Sequence, residues 1–191
     1  MKEIILASTS PRRRELLKLL GVQFFATASP FAEDMSLPLS PTELVKHLAQ
    51  GKARAVADTY RKELVIGADT IVVLGKKILG KPHTPAAAKK MLMALSGKAH
   101  SVITGYCIID CASGSKVVKA VETKLYFKKL STAEIDNYVA TGEPLDKAGA
   151  YAIQGLGAVF VKKIEGDFFS VVGLPLFSLV EDLKKFGVKV L

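Results

Sequence analysis

Three arginines stand where a helix is predicted to begin, a position at which positive charge is unfavourable. A hydroxyl-rich loop at 8–10 is followed by Pro11 and then by Arg12, Arg13 and Arg14. The start of a helix exposes unpaired N–H groups and the positive end of the helix dipole, so a bound anion would resolve the conflict. The segment therefore predicts a phosphate site, and the alternative is a solvated basic face. It is not a Walker A loop, because no G-x-x-x-x-G-K-[ST] pattern occurs.

A lone carboxylate, Asp69, interrupts an otherwise apolar, β-branched run at 64–74. A carboxylate inside such a strand must be paired, hydrogen-bonded or metal-bound, because an isolated buried charge is costly. We therefore interpret Asp69 as a metal ligand or a general base. The alternative is a turn residue that caps a strand bend after Gly67.

Further charges could complete a site for a polyanion. Lys52 lies on a predicted helix, and Lys81 precedes Pro82, which favours extended backbone at the lysine. Each lysine could equally be an ordinary surface charge. Glu33 and Asp34 are either solvated loop residues or a second ligand for a hard cation.

A segment rich in glycine and alanine, 138–158, surrounds a small cluster of charged residues. Such a composition indicates close approach of the backbone to another group. Gln154 within it carries one acceptor and two donors, which could bind the edge of a nucleotide base.

Strand-like and helical runs alternate along the chain to position these residues. Strands are predicted at 2–7, 64–74, 78–79, 101–110, 116–128 and 158–164. Helices are predicted at 11–20, from the cap at Ser40 to about Tyr60, at 84–95, from the cap at Ser131 to near Gly142, and at 175–186. The stretches 101–110 and 116–128 should form a hairpin. The pattern predicts an α/β fold with a mixed sheet in a single domain covering 1–191.

Composition narrows the class of protein. No apolar run approaches the roughly 18 residues that span a bilayer, so we expect a soluble, cytoplasmic protein without a membrane partner. The net charge of +9 indicates an anionic partner. Aromatic residues make up only 7% and form no interleaved ladder, which argues against nucleic acid. Cys107 and Cys111 have no histidine nearby and are interpreted as reduced core cysteines.

Several stretches, taken together and in order, resemble the Maf family. They are Leu-Ala-Ser-Thr-Ser-Pro-Arg-Arg (6–13), Gly-Ala-Asp-Thr (67–70), Gly-Lys-Pro (80–82), Gly-Glu-Pro-Leu-Asp-Lys-Ala-Gly-Ala-Tyr (142–151), and Gly-Asp (166–167) with Val-Val-Gly-Leu-Pro-Leu (171–176). The resemblance implies an elongated, two-lobed fold like that of inosine triphosphate pyrophosphatases, with a cleft between the lobes. It also implies hydrolysis of a nucleoside triphosphate to its monophosphate and pyrophosphate, dependent on a divalent cation such as Mg²⁺, Mn²⁺ or Co²⁺.

The resemblance also assigns roles to individual residues. Asp69 matches the proposed general base and Glu33 an acidic metal position. The phosphate-cleft positions are matched by Ser8, Arg12, Arg13, Lys52 and Lys81. We expect Asp69, Lys52 and Lys81 to act in catalysis, and Glu33 and Asp69 to bind metal.

Specificity follows from three positions of the same resemblance. Arg12, Thr70 and Gln154 are similar to the branch that prefers dTTP and UTP, whereas the 7-methyl-GTP branch tends to carry a bulky aromatic, a glutamine and a glutamate. Two positions depart from the family: Ala32 stands where an acid is usual, and Ser170 where asparagine is commoner.

Alternative functions are the 7-methyl-GTP activity, a broad activity on damaged pyrimidine nucleotides, or a non-enzymatic role in septum formation and cell division. The resemblance also suggests a homodimer, although no interface can be read from the sequence. His47, His83 and His100 form no triad order and are expected to be structural.

Overall fold

The computed structural model describes residues 2–190. Its strands are β1 (Ile4–Ala7), β2 (Phe24–Thr27), β3 (Leu64–Leu74), β4 (Lys77–Leu79), β5 (Ala99–Asp110), β6 (Lys116–Phe127) and β7 (Val161–Glu165). Its α-helices are α1 (Pro11–Lys18), α2 (Pro41–Ala57), α3 (Pro85–Leu95), α4 (Thr132–Ala140), α5 (Phe168–Val172) and α6 (Leu176–Lys184). Short 3₁₀ turns cover Glu143–Asp146, Ala148–Ala150 and Leu156–Phe160.

The strands form one mixed sheet. Over the described residues it has seven strands, in the order β2-β1-β3-β5-β6-β7, with β4 paired to β3. β1 is parallel to both β2 and β3, whereas β3–β4 and β6–β7 are antiparallel. The predicted α/β class with a mixed sheet is confirmed.

Four helices begin at the hydroxyl residues that the sequence predicts as caps. The side chains of Ser10, Ser40, Thr84 and Ser131 each accept the N–H three residues further on. The capping box is complete only at α4, where a Glu134 oxygen accepts the Ser131 N–H at 2.8 Å. These contacts satisfy donors that a helix start leaves unpaired.

One predicted strand differs from the structure, and one observed strand was not predicted. The strand expected at 158–164 begins only at Val161, because a turn in which the Ala158 N–H donates to the Gly155 carbonyl (3.1 Å) leads into a 3₁₀ helix. β2 was not predicted at all, since a four-residue edge strand with only partly buried side chains shows no clear alternation.

The chain divides into two compact units. Unit 1 comprises Met1–Asp69, Thr104–Val121 and Gly173–Leu191, and unit 2 comprises Thr70–Ile103 and Glu122–Val172. In unit 1, α2 contributes Ala49, Ala53, Val56 and Ala57 to a core shared with β1, β3 and β5. In unit 2, side chains of α3 and α4 pack with aromatic residues such as Phe127 and Phe160.

Two further findings concern the helices and the cysteines of the described chain. In residues 2–190 no helix combines the length and apolarity needed to cross a membrane. Cys107 and Cys111 are free thiols, and burial raises the pKa of Cys107 to about 12. Cys107 belongs to the core of unit 1, as the sequence predicts.

His100, on β5, is a buried imidazole of unit 2 and is only 3% exposed. Its Nε2 lies 2.8 Å from the Tyr151 hydroxyl, and the ring of Phe127 meets it edge-on. Its Nδ1 is the one buried side-chain polar atom without a hydrogen-bond partner in the described chain. Burial lowers the pKa of His100 to about 4. The imidazole is therefore neutral and structural at neutral pH.

His100 should make unfolding depend on pH. Because its pKa is about 4 in the fold and 6.5 when exposed, the unfolded chain binds more protons in that window. The contribution of His100 to the free energy of unfolding is therefore fully present above pH 6.5 and decreases as the pH falls towards 4, by on the order of 3 kcal/mol in total. The free energy of unfolding is measured by urea titration at several pH values between about 4 and 7. In His100→Leu this fall in stability with decreasing pH should be lost, whereas in Tyr151→Phe it should remain. Equal slopes in wild type and His100→Leu would contradict the assignment.

Candidate phosphate and metal site

The topology of unit 1 gathers several predicted site residues at one edge of the sheet. β1 lies between β2 and β3. The chain therefore passes from β1 to β2 on one side and then crosses to β3 on the other side of β1. In parallel sheets, ligands bind outside the carboxyl ends of the strands at such a reversal. Ser8 follows β1 directly, Glu33 lies in the loop after β2, and Asp69 follows the part of β3 that pairs with β1.

An ammonium group holds two carboxylates together at this edge. Lys52 Nζ lies 2.7 Å from a Glu33 oxygen and also makes a short ion pair with Asp69. Asp69 is only 7% exposed, so its charge requires such a partner. The structure thus brings together the three charged residues that the sequence predicts for catalysis and metal binding in unit 1.

Lys52 reaches Asp69 because α2 packs directly on β3. A Cβ on Gly67 would lie 2.4 Å from the Ala49 carbonyl oxygen and 2.6 Å from the Ala53 nitrogen. Gly105 on β5 meets the same helix in the same way, since a Cβ there would lie 2.3 Å from the Val45 carbonyl oxygen. Only glycine permits this backbone approach, which brings the lysine of the helix down to the strand.

The loop that carries Glu33 is fastened to α2 by contacts that the sequence analysis missed. The Ser29 hydroxyl donates to the Lys52 carbonyl at 3.0 Å and accepts the Phe31 N–H at 3.3 Å. The Phe31 ring fills the space beside Gly51, where a Cβ would lie 2.3 Å from it. The sequence does offer one signal for this contact: Gly51 lies within a predicted helix, where a glycine often marks a close packing contact.

Arg13 is the arginine of α1 that the structure ties most firmly to this edge. Its Nε donates to the Gly173 carbonyl at 2.9 Å, and another guanidinium nitrogen lies 3.4 Å from the Ser8 hydroxyl. Burial lowers the pKa of the guanidinium, Asp69 and Glu33 oppose that shift, and Arg12 adds to it. Arg13 therefore interacts electrostatically with Asp69 and Glu33, the two carboxylates that pair with Lys52. Gly173 was not predicted to contribute.

The remaining predicted residues belong to unit 2. Thr70 continues β3, Lys81 is exposed after β4, and Gln154 is exposed in a turn before Gly155. The segment that carries Lys81 is held by backbone bonds from Gly149 N–H to the Gly80 carbonyl (3.1 Å) and from the His83 N–H to the Leu145 carbonyl (3.1 Å). The grouping of these three residues with Asp69 stays a prediction.

The donor set of unit 1 fits a divalent cation that is shared with a substrate. Among the residues described, no three His, Cys, Asp or Glu side chains are placed to form a complete metal cage. Glu33 and Asp69 nevertheless contact one cationic nitrogen. Mg²⁺ is commonly held by one or two carboxylates together with substrate phosphates and water. The pair therefore fits a cation that takes its other ligands from a phosphate chain.

The charges of the cluster favour an anion. Arg12, Arg13 and Lys52 contribute three positive charges against the two negative charges of Glu33 and Asp69, which leaves one positive charge in excess before the dipole of α1 is considered. The N-terminus of α1 adds the positive end of its helix dipole beside the arginines. This edge of the sheet can therefore attract a phosphate chain.

Comparison with known proteins assigns the family. A family model described as Maf-like protein matches residues 3–186. The chain therefore belongs to the Maf family.

Curated relatives match over the whole chain. A dTTP/UTP pyrophosphatase of Desulforamulus reducens is 50% identical over 190 residues, covering 100% of both chains. A dTTP/UTP pyrophosphatase of Geobacillus sp. (strain WCH70) is 51% identical over 187 residues, covering 98% of this chain and 100% of the relative. The family predicted from the sequence motifs is confirmed.

Solved structures give more distant matches. The Ham1 protein of Staphylococcus aureus is 16% identical with a TM-score of 0.48, covering 66% of this chain and 72% of its own. A nucleoside-triphosphatase / dITP/XTP pyrophosphatase of Mycobacterium abscessus is 14% identical with a TM-score of 0.45, covering 67% and 75%. The family assignment rests on the sequence matches.

The contact of α2 with Gly67 should be essential to stability. Gly67→Ala would force a methyl group against backbone atoms of α2, which should lower the free energy of unfolding by about 1–3 kcal/mol or more. Gly80→Ala is the matched control, because a Cβ there meets nothing within 4 Å, and it should change stability by less than about 0.5 kcal/mol. Urea unfolding measures both. Equal stability of the two variants would show that the helix does not require this approach.

Proposed function

We propose that the protein hydrolyses dTTP and UTP to the monophosphate and pyrophosphate, in a house-cleaning role on the nucleotide pool. The observation that carries the proposal is the Lys52 ammonium between Glu33 and Asp69, beside Arg13, at the carboxyl edge of parallel strands. Relatives of the whole chain at about half identity bear the name dTTP/UTP pyrophosphatase, which supports the substrate.

The cationic residues bind and orient the phosphate chain. A triphosphate brings about four negative charges, and the leaving pyrophosphate gains charge in the transition state. Arg12, Arg13 and Lys52, with Lys81 from unit 2, offset that charge, and Ser8 supplies a hydroxyl. Arg13 is well placed for this because its contact with Gly173 fixes the guanidinium.

Asp69 acts on the attacking water. Hydrolysis adds water across the bond between the α- and β-phosphates, so a proton must leave the water as pyrophosphate departs. Asp69 either takes this proton or binds a divalent cation with Glu33. A bound Mg²⁺, Mn²⁺ or Co²⁺ would polarise phosphate oxygens and acidify water. In either role the carboxylate would be held in place by its ion pair with Lys52.

Base selection is proposed to depend on Arg12, Thr70 and Gln154. The side-chain amide of Gln154 can donate to and accept from a pyrimidine edge. The family resemblance at these positions supports dTTP and UTP over 7-methyl-GTP. We further propose a cytoplasmic location, where nucleotide pools lie, and a homodimer on the same resemblance.

Substrate and metal are tested in one assay. Pyrophosphate release is measured with dTTP, UTP, CTP, GTP, ATP and 7-methyl-GTP, each with Mg²⁺, Mn²⁺ or Co²⁺ and with EDTA. Release should be confined mainly to dTTP and UTP and should stop with EDTA. Preference for 7-methyl-GTP would assign the chain to that branch. No release by folded protein from any of the six would favour the regulatory role in cell division.

Replacement of Asp69 tests the site. Asp69→Asn keeps an oxygen acceptor for Lys52 but is neutral and cannot take a proton, so kcat should fall by about a hundredfold or more while the melting temperature stays near wild type. Asp58→Asn is the matched control, because that exposed carboxylate at the end of α2 pairs only with Arg54 at 2.9 Å among the ion pairs described. Near-wild-type kcat in Asp69→Asn would contradict the assignment.

The same variant separates the two roles of Asp69. If Asp69 is mainly a metal ligand, a large excess of Mn²⁺ should restore much of the rate, because the metal site is weakened and not abolished. If Asp69 is mainly the base, saturating metal should leave kcat low.

A further inference from the structure

A loop of unit 2 presents Gln154, and its backbone is held at both ends by side chains. This Gln154 loop is defined as residues 152–157. The Ala152 N–H donates to the Tyr138 hydroxyl at 3.1 Å. The N–H groups of Leu156 and Gly157 donate to the two oxygens of Glu143 at 3.0 Å and 3.3 Å. Gln154 itself is exposed.

The two anchors are joined to each other. The Tyr138 hydroxyl donates to the same Glu143 oxygen that accepts the Gly157 N–H, at 2.8 Å. Tyr138 is buried on α4, and its ring packs edge-on against Phe160. The Tyr138 phenol of α4 thus holds the first residue of the Gln154 loop, and the Glu143 carboxylate holds the last two.

Gly155 brings the loop against the carboxylate. A Cβ at this position would lie 2.5 Å from both Glu143 oxygens. A larger residue would push the loop and the carboxylate apart. The loop thus packs directly on Glu143, and the residue beside Gln154 must lack a side chain for this packing.

The carboxylate stays ionised in this position. Burial raises the pKa of Glu143, but hydrogen bonds from Leu156, Tyr138 and Gly157 outweigh it, and the pKa lies below its usual value. Hydrogen bonds to a charged acceptor are stronger than those between neutral groups. The loop is therefore held by charge-assisted bonds from its own backbone.

We propose that Glu143 is a positioning residue for base recognition: it fixes the Gln154 loop so that the Gln154 amide meets a pyrimidine edge in one orientation. The inference rests on the proposed function and deepens it. An exposed glutamine on a short turn with glycines on one side has many conformations, and a fixed backbone removes much of the entropy cost of using it. The Glu143 carboxylate binds the backbone of the loop that carries Gln154, so we expect it to act on recognition and not on the chemical step.

Glu143→Gln is the first test, because it removes the charge and leaves one acceptor oxygen for three donors. KM for dTTP and UTP should rise about tenfold, and the preference for UTP over CTP should shrink by a similar factor. At saturation, kcat should stay within about threefold of wild type. Inhibition by inorganic pyrophosphate, which carries no base, should be unchanged.

Two further variants leave Glu143 in place, so the inference can be tested even if Glu143→Gln does not fold. Gly155→Ala retains the carboxylate but displaces the loop from it, and Tyr138→Phe removes the hydroxyl that binds Ala152. Both should show the same rise in KM with little change in kcat. Asp136→Asn is the matched control on α4, because its carboxylate pairs with Lys89 at 2.6 Å, and it should behave as wild type.

Calorimetric binding of dTTP in EDTA separates the two proposals. In one outcome, the wild type turns over dTTP while Glu143→Gln and Gly155→Ala keep the wild-type KM and selectivity. This outcome would overturn the inference and leave the proposed function standing. Wild-type binding of dTTP without turnover, weakened in both variants, would support the inference and reject the hydrolase. If the variants lost kcat and inhibition by pyrophosphate together, the inference would also be overturned, since that result indicates general damage to the fold. Absence of both binding and turnover in wild type would reject both.

Discussion

The ion pairing of Lys52 with Glu33 and Asp69 is the interaction on which the candidate site depends. Two carboxylates would repel each other at this edge of the sheet, and one of them is buried. The ammonium offsets both charges and fixes both side chains. Under the proposed function, an incoming triphosphate would meet a lysine whose position the two carboxylates already fix.

Backbone contact between helix and strand makes this pairing possible. α2 rests on Gly67 of β3 and on Gly105 of β5 without intervening side chains. A side chain at either position would lift the helix and separate Lys52 from Asp69. The loop that carries Glu33 is fastened to the same helix through Ser29 and Phe31. Packing energy and site geometry are therefore set by the same contacts.

Strong local signals in the sequence predicted much of the fold. Capping residues located the starts of α1, α2, α3 and α4, and apolar runs located β1, β3, β5 and β6. Charged residues in unfavourable surroundings, such as Arg13 at a helix start and Asp69 in an apolar strand, pointed to the site because their cost had to be offset.

Long-range contacts could not be predicted in the same way. β2 depends on its pairing with β1 and not on its own composition. The carbonyl of Gly173 that binds Arg13 lies 160 positions away in the chain, and no local pattern marks it. Residues 158–160 were wrongly predicted as strand, because the apolar residues there belong to a 3₁₀ helix. The cleft and the grouping of Lys81 and Gln154 with Asp69 stay predictions of the resemblance.

The division of unit 1 into three separate stretches of chain has a consequence for synthesis. During translation, its first stretch leaves the ribosome early, but the stretch that begins at Gly173 emerges only after both stretches of unit 2. The partner of Arg13 and the carboxylate of Asp182, which binds Tyr106 and Lys119 within this unit, arrive with that stretch. Unit 1 therefore completes its folding only after the stretch from Gly173 has been made, whereas both stretches of unit 2 are available earlier.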